Sequence, residues 1–222
     1  MKIKKCLSLL LVAVTFMGIF AHNSNALPQY LEYWYAYYYN TVTGLFTDAY
    51  IIRYFDLGPM NDKYPVMYKE NLSGFSNTSF NSYFTHGRNQ WFNAGLISSY
   101  AYTEENANFK VYGGNNVDVK VKVPSLSAAI PARTVPTSTS VGTISCAVST
   151  TKEVEKISEV KIGINYSTYS DNVYKNIFTH EMGHGFGWDN HSNNDADVMW
   201  PQTSYNTVLT NRDINHIKQM YQ

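Results

Sequence analysis

His180-Glu181-Met182-Gly183-His184-Gly185-Phe186-Gly187-Trp188-Asp189-Asn190-His191 is the stretch that decides the reading of this chain, with the apolar turn Val198-Met199-Trp200-Pro201 following it. On a helix, positions i and i+4 lie one turn apart on one face. His180 and His184 can therefore each offer a nitrogen to one metal ion while Glu181 points at its open side. A third ligand has to come from outside the helix. Gly187, which lacks a Cβ, is suited to a left-handed exit turn that lets the chain double back and present His191.

The rest of the chain bounds what can surround this stretch. It has 222 residues, 44% of them hydrophobic, enough for one sizeable core and short for two. Lys2, Lys4 and Lys5 precede an uncharged apolar run from Leu7 to Ala21, and Ser24-Asn25-Ala26 supplies the small residues of a cleavage site. Residues 1–26 are thus read as a signal peptide and residues 27–222 as one exported domain; the apolar run is too short for a spanning helix, which needs about 20 residues. Cleavage removes three of the 17 basic residues and none of the 17 acidic ones, leaving a net charge of −3. That balance gives no reason to expect nucleic acid or an anionic membrane as a partner, and a monomer is expected. Cys6 leaves with the signal peptide, so Cys146 remains alone and no internal disulfide can form.

Along the chain, Tyr33-Trp34-Tyr35-Ala36-Tyr37-Tyr38-Tyr39 reads as a strand or helix packed on the sheet, with a sugar-stacking surface as the alternative. Tyr50 to Phe55 reads as a strand. Phe80, Tyr83, Phe84, Trp91, Phe92 and Leu96 fit an amphipathic helix from about Ser82 to Leu96, weakened by Gly87; His86 within it is given no role. Val117-Asp118-Val119-Lys120-Val121-Lys122-Val123 alternates apolar and charged residues and predicts a half-buried strand. Pro124, Pro131 and Pro136 mark a loop, and Val141 to Val148 and Glu159 to Asn165 read as further strands. Asn211 to Tyr221 has helical spacing, and Thr210 with Asp213 resembles a capping box. The order is that of an α+β fold without internal repeats.

A zinc hydrolase needs three protein ligands and one position left for water, whose pKa the ion lowers from about 15.7 to about 7. In that chemistry Glu181 takes the proton of the attacking water and delivers it to the leaving amine. His180, Glu181, His184, Gly187 and Met199 fall on the metzincin pattern HExxHxxGxxH with its Met-turn. Val198-Met199-Trp200-Pro201 and the ending Leu209 to Tyr221 are similar to the matrixin group, the matrix-metalloprotease-like branch of that clan. The resemblance implies a zincin catalytic domain with a twisted mixed sheet, an active-site helix, a Met-turn and a C-terminal helix. It implies a secreted zinc endopeptidase acting on a peptide or protein, with Met199 as an apolar floor under the ion. It also implies that Val141 to Val148 is the edge strand along which a substrate peptide lies. Calcium is a family expectation only, since Asn193, Asn194, Asp195 and Asp197 read as turn residues.

The chain departs from that pattern at one position. The family's third histidine would fall on Asn190, and His191 comes one residue later; yet the eight residues from His191 to Met199 match the matrixin spacing. A one-residue insertion explains both, so the metal ligands are read as His180, His184 and His191, with Asn190 or Asp189 as the fallback. With His86 the only histidine between the signal peptide and His180, no second, structural zinc is expected, and no cysteine is placed to cap the first. Gln202 to Val208, which should wall the specificity pocket, lacks the family's Pro-x-Tyr at Thr203. A competing reading is a non-catalytic secreted binding domain, an adhesin or carbohydrate binder, on the same scaffold.

Overall fold

The computed structural model describes residues 51–55, 65–96, 98–145, 151–189 and 191–221. The expected signal peptide, the tyrosine run, Tyr50, Cys146 to Val148 and Asn190 lie outside them. Among the described residues six strands form one sheet: β1 (Ile51–Phe55), β2 (Val66–Asn71), β3 (Ser99–Tyr100), β4 (Phe109–Gly114), β5 (Ala132–Ser145) and β6 (Thr151–Asn165). Four α-helices among these residues accompany it: α1 (Asn77–Asn93), α2 (Asn116–Lys122), α3 (Asp171–Gly185) and α4 (Asn211–Tyr221). The α+β expectation agrees with this order.

Strand β6 is the axis of the sheet. Along one edge it pairs in parallel with β1 and then β4, beyond which lie β2 and β3; along the other it pairs antiparallel with β5. Every pairing but β5 with β6 is parallel, so the sheet is mixed. All six residues of the interior strand β4 are buried, as a strand covered on both faces should be. Helices α1 and α3 share the main core with the sheet through Phe80, Phe84, Trp91, Ile177, Phe178 and Met182. A smaller core of Tyr112, Val119, Val123 and Leu126 gathers under α2.

Three expectations change. Residues 117–123 are not a strand: Asn116–Lys122 is the helix α2. A helix buries only one side of the alternating pattern, so Val119 and Val123, four apart, are buried while Val117 and Val121 stand exposed. What favours the helix is Gly163 on β6, where a Cβ would lie 2.9 Å from Val119 Cγ1 and 3.1 Å from Val123 Cβ. Asp118 in the first turn and Lys120 and Lys122 in the last also suit the helix dipole.

The second change concerns the proline-marked loop. Strand β5 begins at Ala132 and carries Pro136 paired with Val160, so the expected strand at Val141 starts nine residues earlier. Among the described residues β5 pairs only with β6, and an edge strand tolerates a proline because its outward side needs no N–H donor. Register shifts between Thr137 and Ser138, and between Ser140 and Gly142, break the alternation of the pair. The strand expected at Glu159 to Asn165 is accordingly the last part of a longer one.

The third change lengthens α1 at its start. Ser76 caps it by accepting a hydrogen bond from the Ser79 amide at 3.0 Å, so the helix begins at Asn77, five residues before the expected start at Ser82. Gly87 then lets α1 approach α3 closely: a Cβ there would lie 3.1 Å from backbone atoms of Phe178 and Thr179. His86 bonds the Thr207 carbonyl through Nε2 at 2.6 Å, tying α1 to the segment before α4.

Candidate metal centre and cleft

Helix α3 packs Val173, Tyr174, Ile177, Phe178 and Met182 into the core and turns Asn176, His180, Glu181 and His184 toward a cleft. It ends at Gly185 with Phe186 as its cap, and Gly187 follows with a φ of 111°. The Gly187 amide donates to the His184 carbonyl at 3.0 Å and the Trp188 amide to the Gly183 carbonyl at 3.1 Å. This pair of bonds is a Schellman motif, which requires a left-handed residue where Gly187 stands. Trp188, fully buried, then stacks on His216 of α4 with ring centroids 3.6 Å apart. Trp188 is thereby anchored just past the helix, and His191 returns to it.

The three histidines converge. His184 Nε2 lies 3.0 Å from His180 Nε2 and 3.3 Å from His191 Nε2, and the ligand atoms of all three are within 4.8 Å of one another. His180 Nδ1 donates to the Val198 carbonyl at 2.8 Å and His184 Nδ1 to the Trp188 carbonyl at 2.6 Å. Those bonds place the proton on Nδ1 and turn each Nε2 lone pair inward. A tetrahedral ion with bonds of about 2.05 Å would hold its nitrogens about 3.3 Å apart, so the donor set fits a metal. Burial pulls His180 down to about 4, with His184 adding to it, and burial pulls His184 to about 4. Both are therefore neutral, the state a metal ligand needs, near pH 7.

The fallback ligand Asp189 is turned elsewhere. Its Oδ1 accepts from Arg53 Nη1 of β1, and Arg53 Nε also bonds Glu155 at 2.7 Å. Asp189 is not part of the histidine group found among the described residues.

Glu181 follows the first ligand and faces β5. Thr134 Oγ1 lies 2.5 Å from Glu181 Oε2 and 3.0 Å from its main-chain carbonyl. Burial pushes the Glu181 carboxyl up, opposed by His180, the Thr134 hydroxyl and Arg133.

Met199 is fully buried, and its sulfur lies beside Gly183. The turn that carries it is held by two buried aspartates. Asp213 accepts from the Val198 amide at 3.0 Å and the Met199 amide at 3.4 Å. It also closes the capping box: its Oδ2 accepts from the Thr210 amide at 2.9 Å, and its own amide donates to Thr210 Oγ1 at 3.2 Å. Asp197 accepts from Ser192 Oγ at 2.5 Å and Thr210 Oγ1 at 2.6 Å and pairs with Arg212.

The cleft around the histidines has a volume of about 420 Å³. Residues 130–134 and Pro136 form one wall, α3 the back, and Pro201, Gln202 and Thr203 the other side. The strand edge beside the histidines is thus the start of β5 rather than residues 141–148. Asn176, one turn before His180 and 2% exposed, donates to the Asn206 carbonyl at 2.8 Å and accepts from the Ser204 amide at 3.2 Å. Three residues here escape a reading of the sequence. Arg53 and Thr134 come from distant strands and carry no local signal, whereas Asn176 could have been found from its i−4 spacing to His180.

No helix among the described residues is long and apolar enough to cross a membrane. Compared with known proteins, the chain matches no family model and no curated protein.

Proposed function

We propose that this chain is a secreted zinc-dependent endopeptidase of matrixin-like, metzincin type. The observation that carries the reading is the convergence of three inward-facing Nε2 atoms beside the buried carboxylate of Glu181, in a cleft walled by a strand edge. His180, His184 and His191 would hold the ion. Bound zinc supplies Lewis acidity and makes water reactive at neutral pH. Glu181 takes a proton from the water that adds to the scissile carbonyl carbon and returns it to the amine nitrogen as the C–N bond breaks. The outer edge of β5 offers main-chain groups to an extended peptide, and Pro201, Gln202 and Thr203 line the cleft on its other side.

The test compares zinc content and casein or gelatin cleavage for residues 27–222 and for Glu181→Gln. The expected result is one zinc per chain in both and cleavage in the first alone. Equal cleavage, or zinc binding with no cleavage by either, counts against the mechanism. His191→Ala should lose zinc where Asp189→Ala keeps it.

A further inference from the structure

Thr134 lines the same cleft as the histidines and makes a short contact to the carboxylate that the proposed reaction depends on. Its register partner is Ile162, and alternation sends its neighbour Val135 to the opposite face, against the small core under α2. Thr134 therefore faces α3. There its hydroxyl oxygen lies 2.5 Å from Glu181 Oε2 and 3.0 Å from the Glu181 carbonyl, and its single proton is best placed on the shorter, charge-assisted bond. One side chain thus meets both the root and the tip of the glutamate. Among the described residues no hydrogen bond reaches the other carboxylate oxygen, Oε1.

We propose that Thr134 is a positioning residue that holds Glu181 Oε2, so that Oε1 is the atom that receives and returns the proton. This rests on the endopeptidase reading of the same site. A carboxylate free to turn about its terminal bonds would present either oxygen at varying angles, and proton transfer needs a fixed heavy-atom distance. The hydroxyl stands on the strand whose outer edge walls the cleft, so the base is indexed to the surface on which a peptide would lie. Threonine is well suited to this, because its branched Cβ leaves few χ1 rotamers for the hydroxyl to explore.

The test uses Thr134→Val, which keeps the shape and removes the hydroxyl, and Thr134→Ser, which keeps the hydroxyl. Zinc content, thermal midpoint, kcat and KM on a peptide, and the Kd of acetohydroxamate are measured for both and for the unmodified protein. A hydroxamate chelates zinc and shares its acidic proton with a neighbouring carboxylate, so its affinity reports Glu181 without turnover. The expected result is unchanged zinc content and KM in Thr134→Val, kcat lower by about 10- to 100-fold and hydroxamate affinity lower by about 10-fold, with both recovered in Thr134→Ser. A rise in KM with kcat kept would instead place Thr134 on the substrate and overturn the proposal. So would hydroxamate affinities that do not differ, or a Thr134→Ser protein as impaired as Thr134→Val. If the unmodified protein binds hydroxamate but cleaves no peptide, the endopeptidase reading fails, while the three affinities still decide the role of Thr134.

Discussion

A methyl group added at Gly183 separates helix propensity from packing, because the two predict opposite signs. In the middle of a helix, Gly→Ala is favoured by about 1 kcal/mol. Here, however, the new Cβ would lie 2.5 Å from Met199 Sδ and 2.6 Å from Trp91 Cζ2, where carbon contacts normally begin at about 3.5 Å. Each atom would have to retreat by about 1 Å. Both side chains are fully buried, and the Trp91 indole is tied to the Thr179 carbonyl at 2.8 Å, so neither has open space to move into. Overpacking of this kind costs about 1–3 kcal/mol, which outweighs or cancels the propensity gain. Gly183→Ala should therefore lower stability by up to about 2 kcal/mol, a fall of about 4–8 °C in thermal midpoint for a domain of this size. The strain also has an address: moving Met199 moves the Val198 carbonyl that orients His180. Zinc affinity should fall by about 10-fold or more, as when other groups that orient ligands are disturbed. Thermal unfolding of the zinc-free protein and a competition titration for zinc measure both effects. An unchanged or raised midpoint together with unchanged zinc affinity would refute the reasoning. A double-mutant cycle with Met199→Ala should show a coupling of about 0.5–3 kcal/mol.

Other consequences follow from the same structure. Asp213→Ala leaves the buried amides of Val198 and Met199 without their acceptor and opens the α4 cap, so urea unfolding should show a loss of about 3 kcal/mol. Asp213→Asn, which keeps one acceptor, should lose less, and equal losses would argue against the clamp. Burial holds His216 at about 3, below its unfolded value near 6.5, so its contribution to stability is whole above pH 6.5 and is lost as pH falls toward 3. His216→Phe, which can still stack on Trp188, should flatten the acid side of the stability curve by about 1.4 kcal/mol per pH unit between pH 6 and 4. Parallel curves for the two zinc-free proteins would contradict this. Asn176→Ala should release the segment carrying Ser204 and Asn206, broadening cleavage-site preference while zinc content holds; an unaltered cleavage pattern on a peptide library would remove Asn176 from the pocket wall.

What the sequence determined by itself are the features whose causes lie within a turn or two of chain. His180 and His184 share a helix face because 3.6 residues make a turn. Gly187 ends that helix because the left-handed position of a Schellman motif suits glycine. Thr210 and Asp213 start α4 by a reciprocal bond over three residues. Tertiary structure decided whatever depended on a distant partner. The alternating valines of 117–123 satisfy a strand as well as a helix, and the missing Cβ of Gly163, some 40 residues away, makes room for the helix. Pro136 reads as a breaker until its strand is seen to lie at an edge. Thr134 and Arg53 reach Glu181 and Asp189 across 47 and 136 positions, and no periodicity carries information over such separations. The meeting of His191 with the helix pair belongs to both: the spacing to Met199 nominates it, and the tertiary structure, in which Trp188 stacks on His216, places it 3.3 Å from His184.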